Sequence, residues 1–135
     1  MTHISDTPSP KPVRWIGSSR DDLRLFPEEV RLRIGGALWE AQLGRKAHYA
    51  KPLRGFGGAG VLEVVDDFEG NTYRGVYTVR FADMVYVLHA FQKKSTRGAT
   101  TPLREIRLIQ QRLQRAREDY EQWQSAQHQH RPASP

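Results

Sequence analysis

The sequence predicts an α+β domain in which a small antiparallel sheet packs against two N-terminal helices and a long C-terminal helix. Three observations support this. Val30, Ile34, Ala37, Leu38 and Ala41 recur at helical spacing between Pro27 and Gly44. Residues 61–68, 73–81 and 84–92 read as three successive strands, separated by the short turn signals Gly70-Asn71 and Ala82-Asp83. Thr101 and Pro102 then provide an N-cap and a first-turn proline for a helix. Its apolar seam is Leu103, Ile106, Ile109 or Gln110, Leu113, Ala116, Tyr120 and Trp123, at alternating steps of three and four.

In chain order, residues 1–11 form a proline-bearing flexible tail and Val13 to Ile16 a short strand. Ser18-Ser19 cap a brief helical turn from Arg20 to Phe26. Pro27 opens the second helix, with Glu28 and Glu29 at its positive end and Gly44 as its stop. The pair Gly35-Gly36 weakens that helix by up to ~2 kcal/mol relative to alanines, so it is expected to permit close packing. Residues 45–60 form a basic, glycine-rich loop before the first long strand. The domain is expected to span 12–124, followed by a disordered tail over 125–135 that is rich in Gln, His and Pro.

At 135 residues, with 38% hydrophobic and 27% charged side chains, the chain is sized and composed for one folded domain. No apolar run approaches the ~20 residues of a membrane span, and the N-terminus lacks the apolar core of a secretory signal. Cysteine is absent, which excludes disulfides and thiolate metal sites and fits a cytoplasmic location. The net charge is +6 and the pI about 10.0. Lys93, Lys94, Arg97, Arg104, Arg107, Arg112, Arg115 and Arg117 face a single acid, Glu105, between His89 and Arg117. Such a focused field attracts polyanions, and on charge alone a nucleic acid and an acidic protein fit equally.

Two-residue turns in both hairpins sort the strand side chains onto two faces. One face gathers Leu62, Val64, Tyr73, Tyr77, Val79, Phe81, Met84, Tyr86, Leu88 and Ala90 as a core for the helices. The other gathers Glu63, Asp67, Arg74, Thr78, Arg80, His89, Phe91 and Lys93, with Arg74 opposite Asp67 and Phe91, and His89 opposite Val76. Without function, that face is a cross-strand ion-pair surface worth a few tenths of a kcal/mol per pair.

With function, it matches the needs of RNA cleavage without a metal: deprotonating a 2′-hydroxyl, stabilising a crowded phosphate and protonating the departing 5′-oxygen. Arg74, Lys93 and Lys94 supply charge, and His89 titrates nearest neutrality. Glu63 is a candidate general base unless an arginine claims it, and Phe91 can stack on an unpaired base. No carboxylate cluster or histidine pair with metal-ligand spacing stands out except His128 and His130 in the tail, so neither a metal nor another cofactor is expected. Gly55-Phe56-Gly57-Gly58-Ala59-Gly60 matches GxGxxG but leads into a strand, where a dinucleotide fingerprint opens a helix. Read as a flexible loop, it can still bring Lys51 and Arg54 onto bound phosphate.

Several segments together resemble the RelE/ParE toxin superfamily, most closely its phage-derived Gp49-like, HigB-type branch. They are Pro27-Glu28-Glu29-Val30, Ala37-Leu38 through Gln42-Leu43-Gly44, Ala50-Lys51-Pro52-Leu53 with Gly55-Phe56-Gly57, and Gly60-Val61-Leu62-Glu63. Asn71-Thr72-Tyr73-Arg74, the run Val87 to Ser95 and Thr101-Pro102 complete the set, covering residues 12–124. The resemblance implies a RelE/ParE-like fold and a type II toxin: a small endoribonuclease that cuts mRNA, often on the ribosome. It implies restraint by an antitoxin, for this branch a helix-turn-helix protein of HigA type. Carried over by residue, Arg74, His89, Lys93 and Lys94 are the expected catalytic groups, and Lys51, Arg54, Phe91 and Arg97 the expected RNA contacts. The superfamily's frequent C-terminal tyrosine or histidine has only Tyr120, His128 and His130 as candidates here, late in the helix or beyond it. A ParE-type inhibitor of DNA gyrase that cuts nothing, and a phage-derived accessory protein, are the alternatives.

Overall fold

The computed structural model describes residues 9–93 and 101–129. Strand β1 (Val13–Trp15) leads into helices α1 (Ser19–Arg24) and α2 (Glu28–Gln42). Strands β2 (Ala50–Pro52), β3 (Val61–Phe68), β4 (Asn71–Thr78) and β5 (Val85–Lys93) follow, and helix α3 (Leu103–Gln129) closes the fold. The five strands form one sheet in the order β1-β5-β4-β3-β2. All neighbours are antiparallel except β1, which runs parallel to β5. The fold is therefore α+β as expected, with a mixed sheet.

Helices cover both faces of the sheet. Val30, Ile34, Ala37, Leu38 and Ala41 of α2 pack with Leu62, Val64, Tyr73, Tyr77, Val85 and Val87. On the opposite face Ile109, Ala116 and Tyr120 of α3 pack with Val61, Val76, Met84, Tyr86 and Leu88. Central strand β4 is buried almost throughout, as a strand between two helical layers must be. Burial in the low-dielectric interior pushes the Tyr77 phenol up to about 12. Leu103 stands exposed on α3 and Ile109, not Gln110, lies on its seam.

The hairpins differ from the expected register in two ways. The β3–β4 turn uses Glu69 and Gly70, both at positive φ (49° and 82°), not Gly70-Asn71. Those angles suit the tight hairpin turns whose twist matches the strands. Arg74 therefore faces Val65 and not Asp67. The slip is two residues, so every side chain keeps its face. Six residues, not two, connect β4 to β5, and a bulge between Val76 and Tyr77 leaves Leu88 as an extra residue on β5. From the bulge back to Val85 the alternation inverts. Met84, Tyr86 and Leu88, expected beside Leu62 and Tyr77, lie beneath α3 instead.

Other expectations shift locally. The loop over 45–60 contains β2, whose Lys51 pairs with Glu63. Lys11, assigned to the flexible tail, exchanges two hydrogen bonds with Gln42 at 2.9 and 2.7 Å. Helix α3 continues through 125–129, five residues into the expected disordered tail. Of the glycine pair, a Cβ on Gly36 would lie 2.9 Å from the Tyr49 hydroxyl, whereas Gly35 faces open space. No helix among the described residues is long and apolar enough to cross a membrane.

Strand β4 and helix α2 come close together at Gly75. A Cβ there would lie 3.1 Å from Cδ1 and Cγ2 of Ile34 on α2. Gly75→Val is expected to destabilise the protein by about 1–3 kcal/mol through overpacking, despite valine's better strand propensity. Combining it with Ile34→Ala should cost less than the sum of the two single changes. Additive unfolding free energies in that double-mutant cycle would show that the contact is not tight.

Candidate active site

The sheet face beneath α3 collects most of the residues singled out from sequence. Lys51, Glu63, Val76 and His89 lie opposite one another across β2, β3, β4 and β5. The adjacent row is Val65, Arg74 and Phe91, and the next is Asp67, Thr72 and Lys93. Glu63, Arg74, His89, Phe91, Lys93 and Lys51 thus share one face. Lys51 and Arg54 are exposed at the β2 end. Lys94 and Arg97 lie outside the described residues.

The polar face was expected to meet solvent, and at its centre it does not. Arg74 is 2% and His89 6% exposed: α3 packs against His89 through Glu105 and Arg112, and Thr101, just before the helix, bonds Arg74. Arg74 Nη1 donates to Glu63 Oε2 at 3.1 Å and to Thr101 Oγ1 at 2.9 Å, and the Thr101 hydroxyl donates to the same Glu63 oxygen at 2.8 Å. Thr101, read from sequence as a helix cap, therefore spends its hydroxyl on the sheet. Glu63 is held by Arg74, the condition under which its role is structural.

His89 sits between two residues of α3. Its Nε2 lies 3.0 Å from Glu105 Oε2 and its Nδ1 3.3 Å from Arg112 Nη1. Its ring stacks on Phe91, with centroids 4.7 Å apart and an interplanar angle of 22°. Both ring nitrogens are engaged, so His89 has none to offer a ligand directly. The Glu105 side chain is twice as exposed as that of His89, 16% against 8%. Glu105 is the end of the pair that faces outward.

Glu105 and Arg112 were missed from sequence. By sequence the first is a lone acid in a basic run, and the second one of that run's cations. Their signal was spacing: Glu105, Ile109, Arg112 and Ala116 fall at steps of four, three and four, on the helix's buried side.

Burial lowers the His89 pKa from its ordinary value. Glu105 pulls it upward, Arg112 pushes it further down and Asp22 raises it, with burial the largest influence. The ring is therefore neutral at pH 7. Near α3's far end, burial would raise the Asp119 pKa. Hydrogen bonds from Tyr86 (2.6 Å) and Arg14 (2.7 Å) outweigh it and hold the carboxyl below its usual range.

Folded His89 binds a proton less readily than unfolded His89, whose pKa is about 6.5. Below that value the unfolded chain holds more protons, so stability falls as pH drops toward the lowered folded pKa. The Asp119 contribution is lost only at more acid pH, below the ordinary Asp range. The thermal midpoint is expected to fall between pH 7 and pH 5, with a shallower fall in His89→Gln. An equal slope in the two proteins would show that His89 is not the group responsible.

The family described as Phage derived protein Gp49-like (DUF891) matches residues 21–114. Two solved structures are similar at low identity. A mutant of the Escherichia coli toxin RelE in the free state aligns at 18% identity and TM-score 0.46, covering 60% of this chain and 81% of that one. The toxin–antitoxin complex RelBE2 from Mycobacterium tuberculosis aligns at 24% identity and TM-score 0.41, covering 67% of this chain and 100% of that one. No curated protein matches the chain.

Proposed function

The chain belongs to the phage-derived Gp49-like family, and from that premise we propose that it is the toxin of a type II toxin–antitoxin pair, an endoribonuclease that cuts mRNA without a metal. The observation that carries the reading is the cluster beneath α3. Two arginines, one neutral histidine and two carboxylates lie on that side of the sheet, beside the strand end that carries Lys93.

In this reading Glu105, aligned by the His89 N–H, accepts the proton of an RNA 2′-hydroxyl. The 2′-oxygen attacks phosphorus, the bond to the 5′-oxygen breaks, and the products are a 2′,3′-cyclic phosphate and a 5′-hydroxyl. The 5′-oxygen takes its proton from a cationic donor, for which Lys93 is the candidate among the described residues. Lys93 places positive charge at the strand end where the phosphate would lie, and Arg74, expected to share that role, lies buried against Glu63 beneath it. Lys51 and Arg54, with Lys94 and Arg97 from the sequence, extend that charge along the RNA, and Phe91 gives the site an aromatic flank. The proposed location is the cytoplasm, on mRNA engaged by ribosomes. The proposed inhibitor is a HigA-type helix-turn-helix antitoxin.

The test is to express the chain alone and follow growth and mRNA integrity, with His89→Ala and Lys93→Ala in parallel. Growth arrest with mRNA loss, relieved by at least one substitution, is the expected result. Arrest with intact mRNA would overturn the ribonuclease reading and favour the gyrase alternative.

A further inference from the structure

We infer that Arg112 is a positioning residue that locks His89 in the neutral Nε2–H tautomer and so aims its only N–H at Glu105. The inference follows from donor and acceptor chemistry. A guanidinium has five N–H donors and no acceptor. Arg112 Nη1 approaches His89 Nδ1 at 3.3 Å, so that nitrogen must present its lone pair. The ring's one proton then resides on Nε2, 3.0 Å from Glu105 Oε2. A proton on Nδ1 would set two donors against each other and leave Glu105 without one.

The guanidinium is itself held in a built seat. Nη1 also donates to the Leu88 carbonyl at 3.0 Å, and Leu88 is the extra residue of the β5 bulge. Nη2 donates to Ser18 Oγ at 3.1 Å, and Ser18 donates in turn to Asp22 Oδ2 at 2.7 Å. The floor of the seat is Gly17, at φ 59°, where a Cβ would lie 2.9 Å from Cζ, Nε and Nη2 of Arg112. The bulge, the glycine and the serine all serve one buried cation.

Among the described residues, four elements surround the ring. Helix α3 presents Glu105 and Arg112, α1 contributes the field of Asp22, β4 offers the uncharged Val76 opposite, and β5 supplies the stacked Phe91. Glu105 and Asp22 favour a charged ring, whereas Arg112 opposes it and, by geometry, decides which nitrogen is bare.

The consequence for cleavage rests on the ribonuclease reading, but the tautomer does not. The experiment is long-range 1H–15N NMR on the full chain with labelled histidine, near pH 7.5 and without RNA. His89→Gln assigns the His89 signals among the five histidines. The expected wild-type spectrum shows a bare acceptor Nδ1 and a protonated Nε2. Arg112→Met, which keeps bulk but has no donor, is expected to give both tautomers and a His89 pKa moved upward. Gly17→Val keeps the charge but unseats it, and is expected to give the same mixture even if Arg112→Met fails to fold. A protonated Nδ1 in the wild type, or an unchanged single tautomer in a folded Arg112→Met or Gly17→Val, would overturn the inference.

Cleavage is read separately. A kcat loss with little change in KM in Arg112→Met supports the positioning role, and an unchanged kcat beside mixed tautomers would overturn it. Absence of cleavage by the wild type, with the expected spectrum, would remove the ribonuclease reading and leave the tautomer lock standing.

Discussion

Arg74→Ala is expected to cost the fold about 3–5 kcal/mol, the largest stability effect of any single substitution at this site. Arg74 lies on the central strand with its side chain 2% exposed, and its guanidinium neutralises the nearly buried Glu63. Removing it leaves a carboxylate, 11% exposed, that among the described residues keeps the Thr101 hydroxyl as its hydrogen-bond donor. An uncompensated buried charge costs far more than the intact pair contributes. The thermal midpoint should drop by roughly 10–15 °C for a chain of this length. Replacing both partners together, as in Arg74→Met with Glu63→Leu, should recover most of the loss, because no charge is then stranded. Urea unfolding of the three proteins checks this. A single-mutant loss under about 1 kcal/mol would mean that Glu63 finds water when Arg74 is gone.

Glu105→Gln is expected to remove about 10²–10⁴-fold of the cleavage rate, the usual size of a general base's contribution. The amide keeps an oxygen for the His89 N–H to donate to, so folding should change little. Loss of activity in a stable protein separates a chemical role from a structural one. His89→Ala should lose activity too, but with a stability cost, since it empties a buried site stacked on Phe91 and leaves Arg112 short of an acceptor. Comparable single-turnover rates for Glu105→Gln and wild type, at saturating RNA, would take Glu105 out of the mechanism.

How legible this architecture was depends on how local each signal is. Helix α2 and strands β3 to β5 announce themselves through periodicity within one element. The two-residue slip of the first hairpin did no harm, since alternation fixes faces modulo two. The bulge was invisible because Val85-Tyr86-Val87-Leu88 is apolar on both sides: with helices covering both sheet faces, the strand has no polar alternation to break. Strand β2 is three residues at the sheet edge, Ala-Lys-Pro, too short for any pattern and disguised by Pro52.

The candidate site was half legible. Glu63, Arg74, His89, Phe91 and Lys93 were placed on one face from spacing alone, and the structure gathers them there. The burial of Arg74 and His89 was not foreseen, because nothing local in the sequence says which sheet face α3 will cover. Glu105 and Arg112 were hidden by the same gap. A charge on a helix reads as solvated until the partner surface is known to be polar too, and Arg112 finds its acceptors on β5 and at Ser18.

The most direct test of the ribonuclease reading is the chemistry of the ends it leaves. Purified protein is added to a translating extract, the cleaved mRNA is recovered, and both termini at the cut are analysed. The account predicts 2′,3′-cyclic phosphate and 5′-hydroxyl ends at the cut, absent with Glu105→Gln. Intact mRNA, or 3′-hydroxyl and 5′-phosphate ends, would contradict it.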